Sequence, residues 1–331
     1  MTEMMYLQEP KLAQAVHWAA VRATLAPSVH NTQPWWFVLR GSSLEIHADW
    51  NRRLRVLDPR GRQLLISCGC ALFNARVALT AAGYEPIVER FPDPAQLDLL
   101  ARLTLGEPHV DKESIGQLDP VIDERHTNRR PFTNEPTPPD VVAALVRAAA
   151  SEGAELFPIT RLEHRLATGR LCRQADQLEN ADPAYRAELR AWTDGDSRRR
   201  DGVPSVAVPN VNPLAQDDLP VRDFDIYGAG GLGHDTRSST CQCLLLLGTR
   251  QESPAAWLQA GEALERVLLR LTQLGLTASL LTQVIEVPAT NSLLRQELQL
   301  TMHPHVLLRV GHAAPTPASR RRRLMEVFQE G

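Results

Sequence analysis

APSVHNTQPWWF, residues 26–37, joins a helical pattern to a strand pattern. Pro27 ends the preceding helix, because a proline ring cannot continue one. Ser28, Asn31 and Gln33 then offer one hydroxyl and two amides, each of which can donate and accept hydrogen bonds. We interpret the stretch as a rigid polar loop at the mouth of a strand, which would suit a flat heteroaromatic ligand with donors and acceptors on its edge. The same residue types are also typical of an ordinary helix–strand turn.

Composition restricts the class of protein. The chain has 331 residues, 43% of them hydrophobic, a net charge of −3 and a pI of about 6.4, so nothing favours nucleic acid or an anionic membrane as a partner. No apolar run approaches the roughly 20 residues that a membrane span needs. The N-terminus lacks the basic start and apolar core of a signal peptide. Five cysteines are an odd number, which disfavours a disulfide framework. We expect a soluble, cytoplasmic protein of about two domains.

Hydrophobic periodicity predicts alternating helices and strands. The predicted helices cover residues 11–25, 62–82, 139–150, most of 162–194, and 254–274. The predicted strands are a hairpin over 36–48, then 85–91, 101–106, 155–160, 241–249 and, as the last strand, 305–312. Residues 195–223 interrupt the pattern with four prolines and few large apolar side chains. A loop of this length inside a compact domain is usually functional, such as a lid, or disordered.

The two long helices resemble each other. Gly69 and Gly261 begin matching stretches, and Gly83 and Gly275 end them, with all matched positions 192 residues apart. Strands follow both helices in the same order, so the pattern predicts an internal duplication, a dimer fused into one chain. Two well-packed core helices would explain the small residues equally well.

Four segments carry a resemblance to a known family. APSVHNTQPW resembles the flavin-binding loop of the nitroreductase superfamily, P-S-x-x-N-x-Q-P-W. Residues 125–129, RHTNR, followed by Phe132, resemble its R-x-S-x-R-x-F segment, which holds the phosphate of FMN. Residues 261–276 resemble its dimer-core helix, and 321–324 its C-terminal K/R-x-R-L. The overall order, including DGVP at 201–204, is most similar to the fused Acg-like branch.

The resemblance implies an α+β, nitroreductase-like fold, internally duplicated, with each half a mainly antiparallel sheet flanked by helices. In ordinary nitroreductases each flavin lies at the dimer interface, and the two subunits supply different motifs. Here the first half, 1–118, has the P-S-x-x-N loop but no R-x-S-x-R segment. The second half, 119–331, has the R-x-T-x-R segment and the basic tail but no such loop. We therefore expect one FMN per chain, in a monomer whose site needs no partner chain.

The same resemblance assigns roles to residues. The residues of the loop are expected to line the flavin. The arginine segment is expected to hold the phosphate or ribityl chain, with His126 over the edge of the ring. The backbone groups of residues 282–283 are expected to face flavin N5 and O4. The family often has Glu-Gly at that pair, so Thr-Gln is a departure. Arginine suits a dianionic phosphate because its hydrogen bonds are bidentate and charge-assisted. A solvated basic tail is the alternative for residues 320–323. The expected contacts are Pro27, Ser28, Asn31, Gln33, Arg125, His126, Thr127, Arg129, Thr282, Gln283, Arg321 and Arg323.

The implied activity is hydride transfer. Flavin N5 would accept a hydride from NAD(P)H, the candidate electron donor, and pass it to a nitro- or quinone-type acceptor. The flavin does this chemistry, so no catalytic side chain is predicted. The alternative is a flavin-sequestering or storage protein, in which an insert at about 195–225 covers the flavin as a lid. A flavin-free interaction protein is a third hypothesis.

Two further patterns are weak. GAGGLG at 228–233 matches G-x-G-x-x-G, but GHDTRSST after it is a poor start for the helix that a dinucleotide site requires. Cys68 and Cys70, like Cys241 and Cys243, are separated by one residue, whereas zinc ligands are usually separated by two to four. We interpret these cysteines as small core residues and predict no metal site.

Overall fold

The structure is a computed structural model that describes residues 9–108, 114–194, 198–208, 219, 222–224 and 242–331. The glycine-rich stretch 228–233, Cys241 and much of the expected lid lie outside the described residues. The helices are α1 (Glu9–Ala23), α2 (Arg62–Ala81), α3 (Pro139–Ser151), α4 (Leu162–Ala181), α5 (Pro183–Trp192), α6 (Pro254–Gln273), α7 (Gln283–Glu286) and α8 (Pro288–Glu297). The strands are β1 (Trp35–Arg40), β2 (Ser43–Ala48), β3 (Tyr84–Arg90), β4 (Leu99–Pro108), β5 (Glu155–Pro158), β6 (Thr193–Asp194), β7 (Val203–Pro204), β8 (Cys243–Thr249), β9 (Thr277–Leu281), β10 (His303–Gly311) and β11 (Phe328–Glu330).

Two larger sheets repeat one strand order. The first has the order β11-β1-β2-β4-β3, and the second has the order β5-β8-β10-β9. The two sheets share a pattern of four strands, and in each a long central helix follows the second of these strands along the chain. Helix α2 follows β2, and helix α6 follows β8. Apart from β11 on β1, the described pairings of both sheets are antiparallel. The fold is therefore α+β and mainly antiparallel, as expected, and the matching order supports the predicted duplication.

The chain end corrects one prediction. The strand at 303–311 is not the last, because β11 follows it and pairs in parallel with β1, Phe37 opposite Phe328. Val327, just before β11, is 2% exposed and belongs to the main core. A three-residue strand is too short to show a periodicity, so sequence analysis missed it. The end of the second half thus adds to the sheet of the first, and the division at 118/119 stays a prediction.

The central helices begin and end at local signals. Ser253 caps α6, its Oγ accepting a hydrogen bond from Ala256 N at 3.3 Å, and Pro254 occupies the first turn, where its missing N–H costs nothing. Asp58 accepts from Leu64 N at 2.9 Å at the start of α2. Both helices therefore begin where a side chain satisfies a backbone N–H of the first turn.

Helices α2 and α6 cross at the two matched glycines. A Cβ at Gly69 would lie 2.0 Å from the carbonyl oxygen of Leu258, and one at Gly261 would lie 2.0 Å from that of Ile66. Only glycine permits this approach of the two backbones. Helix α2 is also 20 residues long and apolar enough to span a membrane by composition, so the expectation that no run approaches this length was wrong. It is buried in the core, which is the usual reason for such a helix in a globular protein.

Candidate functional site

A pocket of about 790 Å³, its open mouth included, draws its lining from both halves of the chain. The first half supplies the loop 27–30 and one face of α2, residues 63–70. The second half supplies residues 127–129 and 279–282, together with Arg222 and Phe224. Segments far apart in the sequence therefore converge on one cavity, the usual form of a ligand site.

The loop after α1 has an unusual backbone. His30, Asn31 and Gln33 have φ values of 46°, 53° and 48°, in the left-handed region that non-glycine residues rarely adopt. The Oγ of Ser28 accepts a hydrogen bond from Gln33 N at 2.9 Å and so closes the loop on itself. Strained backbone of this kind concentrates at functional sites, where the surrounding structure holds it in place.

The side chains of Asn31 and Gln33 clamp two other segments. Asn31 Nδ2 donates to carbonyls in the insert (200–202) and the tail (320–322), at 2.9 and 3.0 Å. Gln33 Nε2 donates to a second carbonyl of the insert at 2.8 Å, while its Oε1 accepts from a tail N–H at 2.7 Å. Neither residue lines the pocket. Both hold the loop, the insert and the tail together, and their expected contact with a flavin stays a prediction.

Two charged side chains behind the loop, Arg125 and Glu265, are buried, and a third, Arg321, is half-buried. Arg125 Nε lies 3.5 Å from Glu265 Oε1, and Arg321 Nη1 donates to Asn31 Oδ1 at 3.0 Å. Within the described part of the chain, Arg125 Nε and Nη1 and Arg321 Nε have no hydrogen-bond acceptor. Burial and the nearby Arg125 together lower the pKa of Arg321 to about 9, although Glu265 acts in the opposite direction. The buried positive charge of Arg125 and Arg321 is therefore not fully neutralised by an anion among the described residues.

Five of the twelve expected contacts line the pocket: Pro27, Ser28, Thr127, Arg129 and Thr282. The Arg129 guanidinium lies 5.3 Å from the ring centre of Phe224, a cation–π distance. Burial lowers the pKa of Arg129 to about 10, and Arg222 contributes. The pocket thus has a positively charged wall beside an aromatic one.

The other expected contacts point elsewhere. His126 is exposed, and its Nδ1 lies 2.7 Å from the carbonyl oxygen of Glu124. Gln283 Nε2 donates to Asp176 Oδ1 at 3.0 Å. Arg323 is exposed at the start of a 3₁₀ turn and donates its backbone N–H to a carboxylate three residues later. As flavin contacts these three stay predictions, and none of them lines the pocket.

Among the lining residues that were not expected from the sequence are His30, Arg222 and Phe224. Arg222 is buried and donates through Nη2 to Glu286 Oε2 at 2.5 Å and to Thr282 Oγ1 at 3.2 Å. Phe224 contacts the His30 ring edge-on, with 5.4 Å between ring centres. Burial holds the pKa of His30 well below its usual value, with Arg222 and Arg129 adding to the effect. Only the position of Arg222 and Phe224 in the proline-rich insert could have suggested them.

Two curated relatives from Mycobacterium tuberculosis match almost the whole chain. One has the provisional name NAD(P)H nitroreductase Rv3131 and is 34% identical over 96% of this chain and 92% of its own length. The other, provisionally the NAD(P)H nitroreductase acg, is 32% identical over 92% of each chain. The chain belongs to the nitroreductase family. Its relatives are the Acg-like members that the insert and the order of motifs suggested. No family model matches the chain.

Solved nitroreductase structures are more distant. A nitroreductase with bound FMN from Desulfitobacterium hafniense is 13% identical, with a TM-score of 0.40 over 62% of this chain and 95% of its own. A second, with bound FMN, from Bacteroides fragilis is 14% identical, with a TM-score of 0.37 over 62% and 94%. Because both scores are low, membership of the nitroreductase family rests on the sequence relatives.

The glycine repeat has different residues on α2 and α6 at one pocket position. Cys70 lines the pocket, and the matching residue of the repeat is Glu262. Glu262 is fully buried and accepts hydrogen bonds from Arg90 at 2.7 and 2.8 Å and from Arg76 at 2.6 Å. At this position of the repeat, an ion-pair network therefore replaces the uncharged residue that lines the pocket.

Cys68 and Cys70 are core residues. Cys68 and Cys70 donate to the carbonyl oxygens of Pro34 and Gly261 at 3.3 and 3.2 Å, and burial raises the pKa of both thiols. Among the described residues, no group of three or more His, Cys, Asp or Glu side chains could hold a metal. Thiols with raised pKa values are poor nucleophiles and poor metal ligands.

Proposed function

We propose that this chain is an FMN-dependent oxidoreductase with one flavin in the pocket between its halves. NAD(P)H, which the names of the relatives mention, is the proposed electron donor, and a nitro- or quinone-type compound is the proposed acceptor. The observation that carries the proposal is the convergence of the Ser28 loop with Thr127 and Arg129 on one pocket. A cytoplasmic, monomeric protein is part of the same proposal, since one chain supplies every residue that it requires.

The buried polar atoms fit the cofactor. The unpartnered nitrogens of Arg125 and Arg321 each cost about 1–3 kcal/mol when buried without an acceptor. A phosphate dianion would satisfy them with charge-assisted hydrogen bonds, and arginine is the residue that best matches phosphate geometry. Ile66, Leu264 and Val306 add apolar surface to the lining, which suits a planar aromatic ring.

In this proposal the side chains of the protein bind and orient the cofactor and do not take part in the reaction themselves. When bound, FMN would supply the hydride chemistry at its N5. Ser28 and Thr282 offer hydroxyls from two separate segments of the lining. The Arg129 guanidinium would stabilise negative charge that develops on a bound group near it. In this proposal the apolar wall excludes water, and no side chain acts as acid or base.

The test is the absorbance spectrum of the purified protein, followed by NADPH under anaerobic conditions. We expect a yellow protein with about one FMN per chain that bleaches on addition of NADPH. A colourless protein that cannot be reconstituted with FMN would contradict the proposal. A yellow protein that only a small chemical reductant can bleach would favour the second candidate.

The second candidate is a flavin-sequestering protein, and one observation supports it. Arg222 and Phe224 of the insert line the pocket, and Phe224 contacts the His30 ring edge-on and lies at a cation–π distance from Arg129. Side chains in this place would narrow the face that two substrates must reach in turn. In this function the insert acts as a lid and keeps the flavin from NAD(P)H.

Replacing Phe224 by alanine distinguishes the two candidates. If the insert is a lid, we expect NADPH to bleach the flavin about fivefold to thirtyfold faster, because the change removes aromatic contacts worth roughly 1–2 kcal/mol. Val206→Ala is the matched control, since Val206 lies on the same insert and is 55% exposed. Stopped-flow absorbance measures both. Equal rates in the wild type and Phe224→Ala would show that Phe224 does not restrict access.

A further inference from the structure

Glu265 is a buried carboxyl with an incomplete set of partners. It lies on α6, is 0% exposed, and approaches Arg125 Nε at 3.5 Å. Within the described residues, neither of its oxygens accepts a well-formed hydrogen bond, although the Asn74 amide interacts with the carboxyl, and two nitrogens of Arg125 are equally unsatisfied. A buried pair with such loose geometry is held less tightly than a well-formed ion pair.

The groups around Glu265 come from three other elements. Arg125 lies in the segment before α3, Arg321 in the tail, and Asn74 and Cys70 on α2. Burial raises the pKa of Glu265 to about 7, although both arginines and the Asn74 amide lower it. The carboxyl is therefore close to balance between its neutral and charged forms at neutral pH.

We propose that Glu265 is a proton-linked counter-charge for the phosphate site. In the absence of a phosphate group, its carboxylate neutralises Arg125; when the dianionic phosphate of FMN binds Arg125 and Arg321, Glu265 takes up one proton from solvent. Two anions would otherwise compete for the same buried cations, at a distance where like charges repel strongly. This inference rests on the proposed function, because it requires FMN phosphate at Arg125 and Arg321.

The direction of the pH effect follows from linkage. The free protein has Glu265 half charged near pH 7, and a nearby dianion raises its pKa further. Above pH 7, binding FMN therefore requires proton uptake, and the affinity falls as pH rises, by up to about tenfold per pH unit. Below about pH 6 the phosphate takes up its own second proton, which also weakens binding. FMN should bind most tightly between these values.

The first experiment uses the wild-type protein freed of flavin. Isothermal titration with FMN at pH 8, in two buffers of different ionisation enthalpy, measures protons taken up per FMN bound. We expect uptake approaching one proton for FMN and none for riboflavin, which has no phosphate. FMN binding without proton uptake would overturn the inference and leave the proposed function intact. If no FMN binds, the proposed function fails, and this inference with it.

The second experiment uses Glu265→Gln, which keeps the shape of the side chain and removes its charge. We expect its Kd for FMN to stay level between pH 7 and pH 8.5, while that of the wild type rises about tenfold or more. Glu124→Gln is the control, because Glu124 is exposed next to Arg125 and should leave the wild-type pH profile unchanged. A wild-type profile in Glu265→Gln would overturn the inference. Should this variant fail to fold, the proton uptake of the wild type still decides.

Discussion

Replacing Arg321 by alanine is expected to weaken FMN binding by about tenfold to a hundredfold. One hydrogen bond to a charged group is worth about 1.5–3 kcal/mol, and Arg321 has a buried Nε without an acceptor among the described residues. Its Nη1 also supports the loop through Asn31. Fluorescence quenching of FMN on addition to the flavin-free protein measures the Kd.

Arg323→Ala provides the matched control from the same run of arginines. Arg323 is exposed and does not line the pocket. Its replacement should therefore change the Kd by no more than about threefold, which is the usual range for surface substitutions. Riboflavin separates phosphate binding from loop support, because its affinity should change less than that of FMN in Arg321→Ala. Equal losses in Arg321→Ala and Arg323→Ala would favour a diffuse basic tail over a defined phosphate contact.

Gly261→Ala is expected to lower the free energy of unfolding by at least about 3 kcal/mol, or to prevent folding. Its Cβ would lie 2.0 Å from the carbonyl oxygen of Ile66 and 2.8 Å from the Cα of Gly69. Both atoms are backbone on the facing helix, so α2 and α6 must move apart, and overpacking of a rigid core is costly. Urea unfolding followed by far-ultraviolet circular dichroism measures the change.

Gly83→Ala is the control for loss of a glycine without a clash, because Gly83 lies just after the end of α2. Gly83 has a φ of 88° and nothing within 4 Å of the position of a Cβ, so only the left-handed backbone is penalised, at about 1 kcal/mol. A similar small cost for Gly261→Ala would mean that the two central helices are not in the close contact described.

Local features were predicted from the sequence. The hairpin over 36–48, both long helices and most strands lie where periodicity and turn residues indicated, with ends shifted by a few residues. The loop at 26–34 was recognised because its motif is continuous in the chain. The glycine repeat identified the two helices that cross, since small residues at a fixed offset are visible without any coordinates.

Contacts between distant segments required the tertiary structure. Three contacts join residues more than a hundred positions apart in the sequence: Phe224 with His30, β11 with β1, and Arg125 with Glu265. Asn31 and Gln33, whose predicted contact with the ligand stays a prediction, hold the insert and the tail through hydrogen bonds that the sequence did not indicate.

The sequence by itself determined the family, the class of fold and the elements, because these depend on motifs and on periodicities of two and 3.6 residues within continuous segments. The tertiary structure alone decided which polar groups are buried together and which remain without partners. That outcome depends on how the two halves pack against each other, and burial shifts the pKa values of Glu265, Arg129 and Arg321 in ways that no local pattern records.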